Sequence, residues 1–67
     1  MIHAAVNGEA TGIAPGTSLL AFITSKNLTP EHIVIEHNGS IAAREQWGQL
    51  LIGDGDTLEI VKFLGGG

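Results

Sequence analysis

Two Asn-Gly pairs, Asn7-Gly8 and Asn38-Gly39, constrain the fold of this chain more than any other feature. Asparagine and glycine both accept positive φ, so an Asn-Gly pair between short apolar runs is a strong signal for a β-hairpin. Each pair therefore predicts one antiparallel hairpin. A further strand is predicted after the glycine- and aspartate-rich turn at 53–56. The predicted strands are 2–6, 9–13, 33–37, 40–43 and 57–64.

One helix is predicted between the two hairpins, because apolar residues recur at helical spacing from Leu19 through Ile23. The turn Pro15-Gly16-Thr17 precedes it, which makes Thr17 the predicted N-cap. The helix is predicted to continue to about Lys26. A small mixed sheet with one helix laid across it buries the apolar side of both elements. The predicted fold is therefore α+β, with a single domain over residues 1–64.

The charge balance limits the partners that such a domain can have. Seven acidic residues oppose three basic ones in a chain of 67 residues, giving a formal net charge of -4. Nucleic-acid binding requires clustered cations, and Lys26, Arg44 and Lys62 are few and scattered. We expect no nucleic-acid partner, no membrane partner and no large active-site pocket. Docking onto a basic patch of a larger protein is expected instead.

Metal and thiol chemistry are not predicted. The chain has no cysteine, and its three histidines lack the spacing of zinc ligands. Asp54 and Asp56 lie in a turn without the further oxygens of a calcium loop. We expect no bound cofactor. No signal-peptide pattern is found at the N-terminus, so a cytoplasmic location is expected.

Residues 44–47 are predicted to form a single irregular or 3₁₀ turn, because the segment is too short for a stable helix. Trp47 is interpreted as an aromatic side chain that closes the end of the sheet. Arg44 is predicted to pair with a nearby carboxylate, Glu45 or Asp54. Neither Arg44 nor Trp47 is predicted to be a functional site.

The last strand carries apolar residues on both of its faces. Leu58, Ile60 and Leu64 fall on one face by alternation, and Val61 and Phe63 fall on the other. One face must cover the helix, so the other leaves large apolar side chains near the end of the chain. A docking surface that includes Ile60, Val61, Phe63 and Leu64 is therefore predicted. Coverage of these residues by loops is the alternative.

Three glycines, Gly65-Gly66-Gly67, follow this strand. Glycine has no contacts that offset its ordering entropy, so a flexible tail is predicted over 65–67. Because the tail has no Cβ atoms, it can pass through a narrow channel, and it reaches about 10 Å when extended. The carboxylate of Gly67 could be activated with ATP as an acyl-adenylate and could then accept sulfur. A tail without function is the alternative.

The whole chain resembles the ThiS-type sulfur carriers of thiamine biosynthesis, which are β-grasp proteins of the ubiquitin-like superfamily. The resemblance rests on four segments and departs at Ala43, where the family often has proline. The segments are Pro15-Gly16-Thr17, Arg44-Glu45-Gln46-Trp47, Asp54-Gly55-Asp56 with the strand after it, and the terminal glycines.

The resemblance implies a role for each tail residue. Gly67 would be adenylated by a ThiF-type enzyme that uses ATP and then converted to a C-terminal thiocarboxylate, with sulfur from sulfide or a sulfur-donating protein. The thiocarboxylate would donate sulfur to a ThiG-type thiazole synthase. Gly65 and Gly66 would lie in the entry channels of both partners. The chain would be a protein co-substrate, not an enzyme. Two alternatives remain open: a related carrier for molybdopterin or cysteine synthesis, and a non-catalytic ubiquitin-like interaction module.

Overall fold

The computed structural model describes residues 1–63. The boundary predicted between the domain and the glycine tail lies outside these residues. Five strands, one α-helix and two short 3₁₀ turns are described. They are β1 (Ile2–Val6), β2 (Glu9–Ile13), α1 (Leu19–Ser25), a 3₁₀ turn (Pro30–His32), β3 (Ile33–His37), β4 (Ser40–Ile41), a second 3₁₀ turn (Arg44–Gln46) and β5 (Thr57–Lys62).

All five strands form one mixed sheet in the order β2-β1-β5-β3-β4. The last strand lies at the centre, parallel to β1 and antiparallel to β3. The two hairpins, β1–β2 and β3–β4, flank it. The predicted α+β fold is confirmed, and the central place of β5 comes from pairing between segments far apart in the sequence.

Both predicted hairpin turns are confirmed. Asn7 and Gly8 have φ values of 50° and 85°, and Asn38 and Gly39 have values of 52° and 88°. Two consecutive residues with positive φ match the twist of the strands on either side. The side chain of Asn7 also accepts a hydrogen bond from Ile60 N at 2.7 Å and donates one to Ile60 O at 3.3 Å. The first turn is thereby attached to β5.

The prediction that Thr17 caps the helix is wrong. Ser18 is the N-cap, since its hydroxyl accepts a hydrogen bond from Ala21 N at 3.0 Å. The hydroxyl of Thr17 donates to Ala14 O at 2.7 Å, which stabilises the preceding turn instead. The carbonyl of Thr17 accepts from Ile52 N at 2.9 Å. This long-range pairing holds Thr17 outside the helix. The helix then ends at Ser25, one residue before the predicted end.

The second hairpin is shorter than predicted, because β4 ends at Ile41 and not at Ala43. Ala42 N still donates to Ile35 O at 2.9 Å. The carbonyl of Ala42 accepts from the indole Nε1 of Trp47 at 3.1 Å, which belongs to the turn that follows. The predicted 3₁₀ turn is confirmed at Arg44–Gln46.

The core lies between α1 and one face of the sheet, with Trp47 closing it at 2% exposure, as predicted. The buried residues are Ala4, Ile13, Leu19, Phe22, Ile23, Ile33, Ile35, Trp47, Ile52 and Leu58. The helix has seven residues. Within residues 1–63, no helix has the length and apolar character needed to cross a membrane.

The predicted ion pair of Arg44 with Glu45 or Asp54 is not found within residues 1–63. Arg44 donates instead to two backbone carbonyls, Pro30 O at 3.0 Å and Ile33 O at 3.1 Å. Its guanidinium lies 5.5 Å from the centre of the Trp47 ring. The carbonyl groups around the first 3₁₀ turn need donors, so Arg44 has a structural role.

Candidate functional site at the end of strand β5

Strand β5 is paired with β3 almost to the glycine tail, from Leu58 to Lys62. It pairs with β1 only at its first two residues, Thr57 and Leu58. Beyond the strand, Phe63 N donates to His32 O at 3.0 Å. The described chain is therefore anchored up to Phe63. The predicted roles of Leu64, Gly65, Gly66 and Gly67 fall outside the described residues and stay predictions.

The two faces of β5 have different environments. Leu58 is fully buried, and Ile60 is half-buried against the same core beneath the helix. Val61 and Phe63 face away from the helix and are 59% and 43% exposed. The structure thus separates the predicted docking residues, because Ile60 lies on the opposite face from Val61 and Phe63. Burial of Val61 and Phe63 under a loop, the alternative considered above, is not observed among residues 1–63.

The outer face of the sheet carries an acidic pair that sequence reasoning missed. Glu36 on β3 and Glu59 on β5 are directly opposite in the strand register, and both are exposed. The next pair on this face is Val34 and Val61. Like charges opposite each other destabilise a sheet, whereas an incoming cation would be attracted to both carboxylates. We call Val34, Glu36, Glu59, Val61 and Phe63 the outer patch.

The turn before β5 is organised by Asp56. One carboxylate oxygen of Asp56 lies 2.7 Å from His37 Nε2 and accepts from Gly53 N at 2.7 Å. The other oxygen accepts from Asn38 Nδ2 at 3.1 Å. Burial alone raises the pKa of Asp56, but the hydrogen bonds from His37, Gly53 and Asn38 outweigh it and lower the pKa below its ordinary value.

These contacts confirm that the two aspartates serve the turn. The carboxylate of Asp54 accepts from His3 N at 2.9 Å, which attaches the turn to β1. His37 is the half-buried partner of Asp56. Within residues 1–63, no three His, Asp or Glu side chains are arranged to hold a metal ion.

A five-stranded mixed sheet with one helix packed across it, and with the last strand at its centre, defines this chain as a ubiquitin-like β-grasp domain. The chain belongs to the ThiS family, whose family model matches residues 3–67. The match includes the outer patch, the turn at Asp56 and the glycine tail.

Solved structures agree with this assignment. The crystal structure of the thiamine biosynthesis protein ThiS from Geobacter metallireducens is similar with a TM-score of 0.84 and 26% identity, covering 98% of this chain and 100% of that chain. The solution structure of a thiamine biosynthesis protein from the same organism gives 0.77 and 25%, covering 98% and 88%.

Two curated relatives are thiazole synthases, from Magnetococcus marinus and Paramagnetospirillum magneticum. Each is 31% identical to this chain over 62 residues, which are 92% of this chain and 19% of the relative. The chain thus spans about a fifth of the length of the curated relatives it matches.

Proposed function

We propose that this chain is a sulfur carrier for the thiazole step of thiamine biosynthesis, and that it acts as a protein co-substrate and not as a catalyst. The supporting observation is the match to the ThiS family, which continues through the glycine tail to Gly67. Since the chain has no cysteine, no side-chain thiol can carry the sulfur. The carboxylate of Gly67 is the group that can form a thioacid.

The proposed chemistry has two steps. A ThiF-type partner joins the Gly67 carboxylate to the α-phosphate of ATP, forming an acyl-adenylate and releasing pyrophosphate. Sulfide, free or delivered by a sulfur-donating protein, then attacks the acyl carbon. A carbon–sulfur bond forms, the bond to the adenylate oxygen breaks, and AMP leaves with its electron pair. Sulfide is already fully reduced, so the product thiocarboxylate forms without an oxidant or a reductant.

The proposed recipient is a ThiG-type thiazole synthase. Two thiazole synthases contain a segment similar to this chain, which supports a working association between carrier and synthase. Gly65 and Gly66 would pass through a channel in each partner because they lack Cβ atoms. After transfer of sulfur to the thiazole precursor and hydrolysis, the tail would again end in a carboxylate.

The outer patch is the proposed docking surface for these partners. Val61 lies on the strand that leads to the tail, and Phe63 directly follows this strand, so a partner that holds the tail also reaches them. The opposed carboxylates of Glu36 and Glu59 favour a partner surface with cations around an apolar centre. Ile60 and Leu64 were predicted as part of the same surface. Ile60 lies on the helix side of β5 and outside the outer patch, and Leu64 lies outside the described residues.

The experiment that tests the proposal exploits the absence of cysteine, because a thiol-directed reagent then finds no side-chain thiol in the chain. The protein is incubated with ATP, sulfide and a ThiF-type enzyme, treated with iodoacetamide, and analysed by intact mass and fragmentation. We expect one alkyl group, located on Gly67 and dependent on ATP. Fragmentation is needed because oxidation of Met1 changes the mass almost as much as replacing oxygen with sulfur.

A matched control is the same chain extended by one alanine after Gly67, which should remain unlabelled. In a parallel reaction, the activating enzyme must convert its own carrier protein to a form that iodoacetamide labels. If that enzyme is competent and this chain stays unlabelled, the carrier proposal is wrong.

A further inference from the structure

A groove of about 400 Å³ opens on the helix side of the sheet, near the end of α1. The helix has only seven residues and leaves this end of the sheet uncovered. The floor of the groove is apolar and includes Phe22 from the helix, Leu28 from the loop after it, and Ile33 and Ile60 from the sheet. The volume is near the lower end of the range for small-molecule sites.

The charges around the groove oppose those of the rest of the chain. Lys26 and Lys62 line it, and Glu9 is the one carboxylate among its described lining residues. The chain has three basic residues in all, and the third, Arg44, is occupied by backbone carbonyls. In this acidic domain, both lysines, Lys26 and Lys62, therefore lie around one apolar groove.

The two lysines are available to a ligand. Neither forms an ion pair within residues 1–63. The Nζ atom of Lys26 lies 5.5 Å from the centre of the Phe22 ring, so its charge is held beside the apolar floor. Lys62 is exposed on β5, on the same face as Ile60. The groove therefore has one cation, Lys26, on its helix side and another, Lys62, on its sheet side.

We propose that this groove binds a small organic anion with a ring-containing apolar body and a carboxylate, sulfonate or phosphate group. The body would cover the floor and release water from it, while the anionic group would interact with Lys26 and Lys62. A neutral ligand would lose the lysine interactions, and a cation would be repelled by them. The groove lies on the opposite face of β5 from the outer patch, so the proposal is independent of the carrier chemistry.

The test is an NMR titration of the ¹⁵N-labelled chain with 2-naphthyl phosphate. Two comparison probes separate the contributions: 2-naphthol has the apolar body alone, and inorganic phosphate has the charge alone. We expect saturable shifts for the amides of Phe22, Leu28, Ile33 and Ile60, with binding about fivefold or more tighter than for either comparison probe. Raising the salt concentration should weaken binding of the ester but not of 2-naphthol.

Charge variants test the assignment of residues. Lys26→Gln and Lys62→Gln should each weaken binding of the ester about two- to fivefold, because exposed ion pairs contribute modestly. Glu9→Gln removes the opposing carboxylate and should tighten binding. Glu45→Gln is the matched control, since Glu45 does not line the groove. The dispersion of the amide spectrum shows whether each variant is folded.

Three results would overturn the proposal. The first is equal affinity for 2-naphthol and its phosphate ester at low salt. The second is a set of shifts located on the outer patch and not around the groove. The third is unchanged affinity in all three charge variants while their spectra show a native fold.

Discussion

Replacing Asp56 with asparagine tests how the turn before β5 is held. The Asp56 carboxylate joins two parts of the chain: its own turn, through Gly53, and the second hairpin turn, through His37 and Asn38. Its side chain is 17% exposed, so these hydrogen bonds are largely shielded from water. Asparagine keeps the shape and one acceptor oxygen, but it puts an NH₂ group against at least one of the donors.

The expected cost of Asp56→Asn is about 1–3 kcal/mol in the free energy of unfolding at pH 7. A hydrogen bond to a charged group contributes about 1.5–3 kcal/mol. Asparagine can still accept from one donor, which keeps the loss near that of a single charged hydrogen bond. For a domain of this size, with a stability of about 3–10 kcal/mol, the change is large.

The effect of Asp56 should depend on pH in a defined direction. The pKa of Asp56 is lower in the folded state than the ordinary value of 3.8. The carboxylate therefore stabilises the fold at pH values above 3.8, and this stabilisation is lost as the pH falls through the lowered pKa. The difference between the native chain and Asp56→Asn should be full at pH 7 and should shrink in strong acid.

Urea denaturation followed by far-ultraviolet circular dichroism and by the fluorescence of Trp47 measures both quantities. Asp54→Asn is the matched control, because the exposed carboxylate of Asp54 accepts one hydrogen bond, from His3 N. It should cost less than about 1 kcal/mol. The role assigned to the Asp56 carboxylate is refuted if Asp56→Asn costs no more than Asp54→Asn at pH 7, or if its cost is unchanged in strong acid.

Three further outcomes are expected. Trp47→Phe should lower the free energy of unfolding by about 2–4 kcal/mol in urea, because it leaves a cavity and an unpaired carbonyl; a loss below about 1 kcal/mol would contradict this role. Glu59→Gln should raise the free energy of unfolding by about 0.2–1 kcal/mol by removing the repulsion with Glu36, and lower stability would contradict that repulsion. The same variant should bind a ThiF-type enzyme more weakly in calorimetry, and unchanged binding would contradict the docking proposal. Deleting Gly66 and Gly67 should leave the melting temperature unchanged, because the core lies within residues 4–58, and should abolish growth without added thiamine; continued growth would exclude the carrier role.

The features predicted correctly are those that depend on neighbouring residues. The Asn-Gly turns follow from the backbone preferences of two adjacent residues. The 3₁₀ turn before Trp47 and the burial of Trp47 likewise follow from a short segment and one large aromatic side chain. The N-cap was predicted one residue too early, although serine is the better N-cap of the two adjacent residues Thr17 and Ser18. The distant hydrogen bond from Ile52 to Thr17 favours Ser18 as the cap.

The partner of Arg44 and the outer patch could not be predicted from local sequence. The acceptors of Arg44 are backbone carbonyls on another part of the chain, and every residue has a carbonyl, so sequence gives no signal for them. The opposition of Glu36 and Glu59 depends on the register between β3 and β5. A shift by one residue would turn one of these glutamates to the other face.

The sequence by itself determined which side chains this protein has and which local elements carry them. The absence of cysteine is a property of composition, and the Asn-Gly turns and the strand before the glycines follow from the order of the residues. The tertiary structure decided where charge and apolar surface meet. Long-range pairing placed β5 at the centre of the sheet. The outer side of the sheet then carries two opposed glutamates, and the helix side carries the lysine-lined groove. Side chains distant in sequence share a face only after the strands have aligned.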